Sequence, residues 1–321
     1  MRNIARLLVV LALVGTNAAL AQGYPNRPIR VIVPWPPGQA TDIAARMVSE
    51  KLVPVLGQPL VIDNRPGAGG VIGSEAVSKA PPDGYTLLAG SSGPISISPN
   101  VQKVGYDPLK DFAPISLLAS NPFVLVTHPS FPAANVKEFI SLLRANPGRY
   151  SYASSGSGAT THLITELFLS MAKVTAIHVP YKGSAPALTD VVGGQVTFTF
   201  DTSAAVLNHA KTGRLKALGV SSANRAIALP EVPTIAEAGD LAGFDMRGWI
   251  GLLAPAGMPR DLRMQLAAES RKILQTPEIR ERFITLGLEP AGLMPDEFTE
   301  FLRKQNDRYA SIAKQVNLKA D

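Results

Sequence analysis

The sequence predicts an α/β protein of two lobes with a ligand cleft between them. Three observations carry this. Short apolar runs alternate with helical patterns along most of the chain, the pattern of a mostly parallel sheet covered by helices. The alternation is interrupted once, where Ile115–Leu118 and Phe123–Val126 are extended runs with no helix between them, and then restarts. Two loops of similar construction, Pro34–Asp42 and Ser154–Thr161, each lead from an apolar run into a helical pattern.

The elements follow in chain order. Arg2 and Arg6, the apolar run Leu7–Val14 and the small-residue site Ala19-Leu20-Ala21 read as a secretory signal peptide over 1–21, cleaved after Ala21. The alternative, a membrane anchor, needs roughly 18 apolar residues. Arg30–Val33 is a strand, followed by a helix with Ile43, Met47, Leu52 and Leu56 near one face. Leu60–Ile62 is a strand before a helix over about 70–79, and Tyr85–Ala89 is the strand after the turn Pro81-Pro82-Asp83-Gly84. The two extended runs carry the chain from one lobe to the other.

Beyond them, strands Tyr150–Ala153, Ala176–Val179, Val196–Phe200 and Leu215–Val220 alternate with helices over 136–145, 160–171, 185–192 and 204–212. The Pro-rich stretch 230–234 and a strand around Trp249–Leu253 make the return crossing, and helices near 260–275, 277–286 and 295–316 finish the chain. The expected division is residues 22–122 and 246–321 in lobe 1 and 123–245 in lobe 2.

Composition limits the chemistry. Of 321 residues none is cysteine, which excludes disulfides, thiolate metal sites and thiol nucleophiles. Losing Arg2 and Arg6 with the leader lowers Lys+Arg from 31 to 29 against 25 acids, a mild excess with no basic cluster of the kind nucleic acid requires. His128, His162, His178 and His209 are scattered, so neither a metal site nor another cofactor is expected.

The first N–H groups of a helix have no intrahelical acceptor and carry the positive end of the helix dipole, so such a place holds an anion without Lys or Arg. In the first loop Gly38 permits the turn, Gln39, Ala40 and Thr41 form the helix start, and Asp42 caps or braces the loop. In the second, Ser154, Ser155, Thr160 and Thr161 offer hydroxyls, while Gly158 and Ala159 bring backbone close. Either loop alone also reads as a helix start with no ligand. Two together suggest a cleft that closes on a small carboxylate. Tyr181, in Tyr181-Lys182-Gly183 after a strand, places a phenol near the cleft or in a solvated turn; Asp201, at a strand's carboxyl end, braces the cleft, binds water or meets a ligand donor. A serine hydrolase using Ser155 or Ser157 is the reading from a different class, although Gly156-Ser157-Gly158 does not meet the nucleophile-elbow pattern. Gly67–Gly73 lacks the final glycine of a dinucleotide loop.

At these motifs the chain resembles the extracytoplasmic solute receptors of tripartite tricarboxylate transporters, the Bug-type receptors. The matching stretches include Tyr24-Pro25-x-Arg27-Pro28-Ile29-Arg30, Pro36-Pro37-Gly38-x-x-x-Asp42, Val61–Gly70, Pro82–Leu88, Val179–Gly183, Gly193–Val196, Leu229–Thr234 and Leu253–Pro259, in order over nearly all of the chain beyond the leader. The resemblance implies a periplasmic-binding-protein type II-like fold and no enzymatic activity. It also implies a small organic carboxylate held by backbone amides, hydroxyls and water between 36–42 and 154–161, with Ser91 a further cleft residue. The implied partners are the small and large subunits of a membrane transporter, the location the periplasm, and the default state a monomer. A receptor that signals to a membrane sensor would share the same site. One departure stands out: the family's first loop commonly reads Pro-Gly-Gly, and here Gln39 adds an amide.

Overall fold

The computed structural model describes residues 23–319. The expected signal peptide lies outside the described residues. Strand β1 (Ile29–Val33) is buried at four of five positions, as a strand covered on both faces must be. It leads through the Pro/Gly loop into α1 (Ala40–Leu56), which ends at Gly57 in the left-handed region. β2 (Leu60–Asn64), α2 (Val71–Ser78) and β3 (Thr86–Ser91) complete the first unit. A buried π-helical turn, Gly93–Ile97, and a short α3 (Ser98–Val101) follow.

The two extended runs of the sequence are one continuous strand, β4 (Phe112–Thr127). Then come α4 (Val136–Ala145), β5 (Ser151–Ser154), α5 (Thr160–Ala172), β6 (Ile177–Pro180), α6 (Ser184–Val192), β7 (Phe198–Thr202), α7 (Ser203–Lys211) and β8 (Lys216–Val220). A short α8 (Ile235–Gly239) precedes β9 (Arg247–Pro255), and α9 (Arg260–Gln275), α10 (Pro277–Thr285), β10 (Glu289–Leu293) and α11 (Pro295–Gln315) close the chain. Neither α8 nor β10 is predicted from the sequence, being only five residues each. No helix among the described residues is long and apolar enough to cross a membrane.

The strand order is β2-β1-β3-β9-β4-β7-β5-β6, with β8 and β10 also on β4. β1 pairs in parallel with β2 and β3, and β3 pairs antiparallel with β9. The second half repeats the plan: β5 pairs in parallel with β6 and β7, and β7 pairs antiparallel with β4. β4 belongs to both halves. Up to Pro122 it pairs with β9, and from Phe123 onward with β7 and β8. The return crossing is held where the Met246 amide donates to Ser221 O at 2.7 Å.

One apolar cluster covers a face of the first half through Ile29, Val31, Val48, Leu266 and Phe283. A second does so for the other half through Val126, Leu188 and Val206. The third runs without a break across both, from Leu88 and Phe298 to Phe168 and Phe198. Within it Trp249 on β9 meets Phe298 on α11 edge to face, ring centroids 5.7 Å apart. The ring of Phe298 lies so close to the sheet that a Cβ on Gly251 would stand 2.3 Å from its Cζ. Phe298→Ala is therefore expected to lower stability by about 3–5 kcal/mol and Gly251→Ala by about 1–3 kcal/mol through overpacking, both read from urea unfolding midpoints.

Candidate functional site

In each half, the loops that leave the carboxyl ends of the parallel strands face the other half. This is where open α/β sheets hold ligands. The β1–α1 loop and the β5–α5 loop occupy equivalent positions in the repeated plan, as do the ends of β3 and β7. Between them lies a cavity of about 40 Å³, room for roughly three waters. Gln39, Ala40, Thr41, Ser91, Ser155, Thr160 and Asp201, all expected from the sequence, line it.

No side chain caps α1 or α5. Among the described residues, the amides of Ala40, Thr41, Asp42, Thr160 and Thr161 donate to no protein acceptor. Other amides of the two loops are engaged. Gly38 N donates to Asp42 Oδ2 (2.9 Å), Gly158 N to His162 Nδ1 (3.2 Å) and Ala159 N to Gly156 O (3.1 Å).

The remaining sequence candidates stand behind or beside the cavity. Asp42 braces the first loop, as one of its two expected roles. Its Oδ1 accepts from Asn64, its Oδ2 from Arg46 and the Gly38 amide. Burial pushes its carboxyl up, but the bonds from Arg46, Gly38 and Asn64 outweigh that and hold it below the usual range. Ser154 is fully buried and turned away: its hydroxyl bonds His178 Nε2 at 2.7 Å. Ser155, the first residue past β5, lines the cavity, its amide and hydroxyl bonded to Thr161 Oγ1 (2.8 and 3.0 Å). Ala159 joins the apolar cluster of Trp35 and Ala40. Tyr181 sits in an outer cleft of about 520 Å³ with Lys182, and its phenol donates to Asp190.

Thr161, a hydroxyl of the second loop expected from the sequence, lines the cavity too, as do side chains not singled out there: Trp35, Ser92, Asn121, Phe123, Ser184 and Thr202. Ser92 and Thr202 end equivalent strand exits, a signal that exists only once the repeat is known. Asn121 and Phe123 sit on β4, where the local sequence gives no sign of a cleft. Trp35 Nε1 donates to Ser91 Oγ (2.9 Å), fixing that hydroxyl's orientation. Ser92 Oγ and Thr160 Oγ1 bond across the cleft at 2.8 Å. A Cβ on Gly183 would stand 2.5 Å from Gln39 Nε2, so Gln39 reaches from the first loop to the far wall.

Asp201 is the one charged side chain on the cavity among the described residues. It is 1% exposed. Its Oδ1 accepts from Ser184 Oγ (2.8 Å) and the Thr202 amide (2.7 Å), while Oδ2 has no partner. Burial raises its pKa to about 6, against the opposing pull of Ser184 and of the Thr202 amide and side chain. Behind the second loop, His162 stacks on His178 with centroids 3.9 Å apart. Burial, reinforced by His178, lowers His162 to about 3. It is therefore neutral near pH 7 and accepts the Gly158 amide.

The chain matches the family described as tripartite tricarboxylate transporter family receptor over residues 44–318. It is similar to the solved periplasmic binding protein BugD, at 33% identity and TM-score 0.87, covering 93% of this chain and all of that one. It is also similar to Rpa4515 of R. palustris, solved with adipate, at 34% identity and TM-score 0.89 over 92% of this chain and 99% of that one. MatC from Rhodopseudomonas palustris, solved with bound malate, matches at 31% identity and TM-score 0.85 over 90% and 99%. The architecture is thus the two-lobed, type II-like periplasmic-binding-protein fold.

The buried acid generates a prediction with a definite sign. Between pH 4 and 6 the folded state keeps a proton on Asp201 that the unfolded chain has lost, so stability falls as pH rises through that window. A raise from 3.8 to about 6 corresponds to on the order of 3 kcal/mol. Asp201→Asn keeps an acceptor for Ser184 and Thr202, and is expected to flatten that part of the melting temperature's pH profile.

Proposed function

The chain belongs to the tripartite tricarboxylate transporter receptor family, and from that premise we propose that it is a non-enzymatic periplasmic solute receptor for a small organic carboxylate. It is exported by the signal peptide over 1–21 and cleaved after Ala21. Acting as a monomer, it delivers its ligand to the small and large subunits of a tripartite membrane transporter.

One observation carries this reading. Two uncapped helix starts, from equivalent loops of the two halves, share one cavity that no Lys or Arg lines among the described residues. An anion there is met by the free amides of 40–42 and 160–161, by the dipoles of α1 and α5, and by the hydroxyls of Thr41, Ser91, Ser155 and Thr160. Enclosure strengthens each of these contacts by removing competing water. Gly38, Asp42, Gly158 and Ala159 serve the same capture by shaping the loops, and Ser154 by anchoring the second loop to His178. Tyr181 contributes at the cleft mouth.

The working motion is hinge closure of lobe 1 (22–122 and 246–321) on lobe 2 (123–245), about β4 near 122–123 and the return near 246. The Ser92–Thr160 bond and the reach of Gln39 to Gly183 are contacts of the closed form. A carboxylate bridging the two helix starts adds to them and stabilises closure.

Thermal melting of the processed protein, unfolded, dialysed and refolded to strip ligand, against a panel of small carboxylates tests the reading. An acid at about 100 times its dissociation constant adds roughly 2.7 kcal/mol, a rise of several degrees; no rise with any acid would overturn the carboxylate assignment. Gly38→Val probes the first loop. Gly38 has φ +83° with nothing within 4 Å of a Cβ, so valine meets backbone strain without a core clash. The variant should fold and bind the identified acid more weakly; unchanged affinity would remove the first loop from the site.

A further inference from the structure

Three polar side-chain atoms on the wall of this one cavity are buried and without a hydrogen-bond partner: Gln39 Nε2, Asn121 Oδ1 and Asp201 Oδ2. Asn121 is 5% exposed and Asp201 1%. Buried polar atoms are nearly always paired, and each exception calls for a reason. Here the reason is chemical complementarity with an occupant. The first atom is a donor and the other two are acceptors.

Asp201 fixes the polarity of the far end. The Ser184 hydroxyl and the Thr202 amide donate to Oδ1, and Oδ2 is buried without a hydrogen-bond partner on a residue that lines the cavity. Asp201 is the next-to-last residue of β7, and continuing the register in which Ala153 of β5 pairs with Thr199 brings it level with Ser155, just past the end of β5. An occupant held by the amides of Thr160 and Thr161 therefore meets Asp201 close by. A carboxylate oxygen turned toward an ionised acid is repelled, whereas a hydroxyl or ammonium hydrogen satisfies it. The cavity of about 40 Å³ suits a compact occupant.

Resting on the carboxylate reading above, we propose that the ligand is a short hydroxy or amino acid, its carboxylate taken by the two helix starts and Gln39 and its hydroxyl or ammonium donating to Asp201 Oδ2 and Asn121 Oδ1. Asp201 is thus the residue that distinguishes donor-bearing acids from plain acids of the same length.

Calorimetric titration of the stripped wild-type protein at pH 7.5 with matched acids tests this: lactate and alanine against propionate, malate and aspartate against succinate. In at least one set a donor-bearing acid should bind about tenfold or more tightly than its plain counterpart, because the plain acid leaves the buried acceptors unpaired. The hydroxyl and ammonium arms identify which donor is read. Plain acids binding as tightly as their counterparts would overturn the proposal while leaving the carboxylate reading intact. No binding by any of these acids would overturn the proposal, and the melting panel then decides the carboxylate reading separately. Asp201→Asn, which puts an amide donor where Oδ2 stands, should reduce the preference by about tenfold or abolish it. A folded variant that keeps the full preference would also overturn the proposal. If the variant does not fold, the wild-type comparison decides alone.

Discussion

One strand belongs to two sheets, and the rest of the architecture answers to that constraint. β4 pairs with β9 along its first part and with β7 and β8 along its last. The change of partners at Pro122 and Phe123 aims the strand exits of the two halves at each other. Parallel strands need helical crossovers, so each exit leads into a helix start. The cleft is therefore rimmed by helix N-termini because of how the chain is wound. Asn121 and Phe123, on either side of the partner change, form part of the cavity wall.

The electrostatics of the site follow from the same winding. Its attraction for an anion comes from peptide dipoles and hydroxyls, with no lysine or arginine lining the cavity among the described residues. The charge it does carry is negative and buried, on Asp201. Behind the loop, His162 is held neutral by burial, so the imidazole that accepts the Gly158 amide adds no positive charge near the ligand. In the proposed reading, attraction and discrimination thus sit on different chemical groups.

Much of this is legible along the chain. Ile29–Val33, bounded by prolines and followed by Gly38 and a helical period, states a strand, a turn and a helix start within some fifteen residues. Ser154–Thr161 states the same again. Asp201 is readable as an acid at the end of an apolar strand. What resists reading is whatever depends on distant pairing. β4 reads as two runs because Ser120-Asn121-Pro122 is polar and contains proline, and only its pairing with β9, more than a hundred residues later, makes it continuous. Ser154 and Ser155 read alike until the strand ends between them, with Ser154 bonded to His178 and Ser155 to Thr161. Ser92, at the exit of β3, is followed by a buried π-helical turn, Gly93–Ile97, that the local sequence does not announce. The amides are also overcounted in sequence, since turn bonds to Asp42, Gly156 and His162 occupy several that a linear reading leaves free.

The uncapped helix starts have a consequence for how such a protein diversifies. A side chain can be exchanged by a single codon change; a backbone N–H survives every substitution except proline. The half of the pocket proposed to hold the acid group is therefore written in a part of the molecule that mutation barely touches, while Gln39, Asn121 and Asp201 are written in the part it changes freely. A duplicated gene could lose one solute and acquire another by exchanging those three, with the grip on the shared acid group never interrupted along the way.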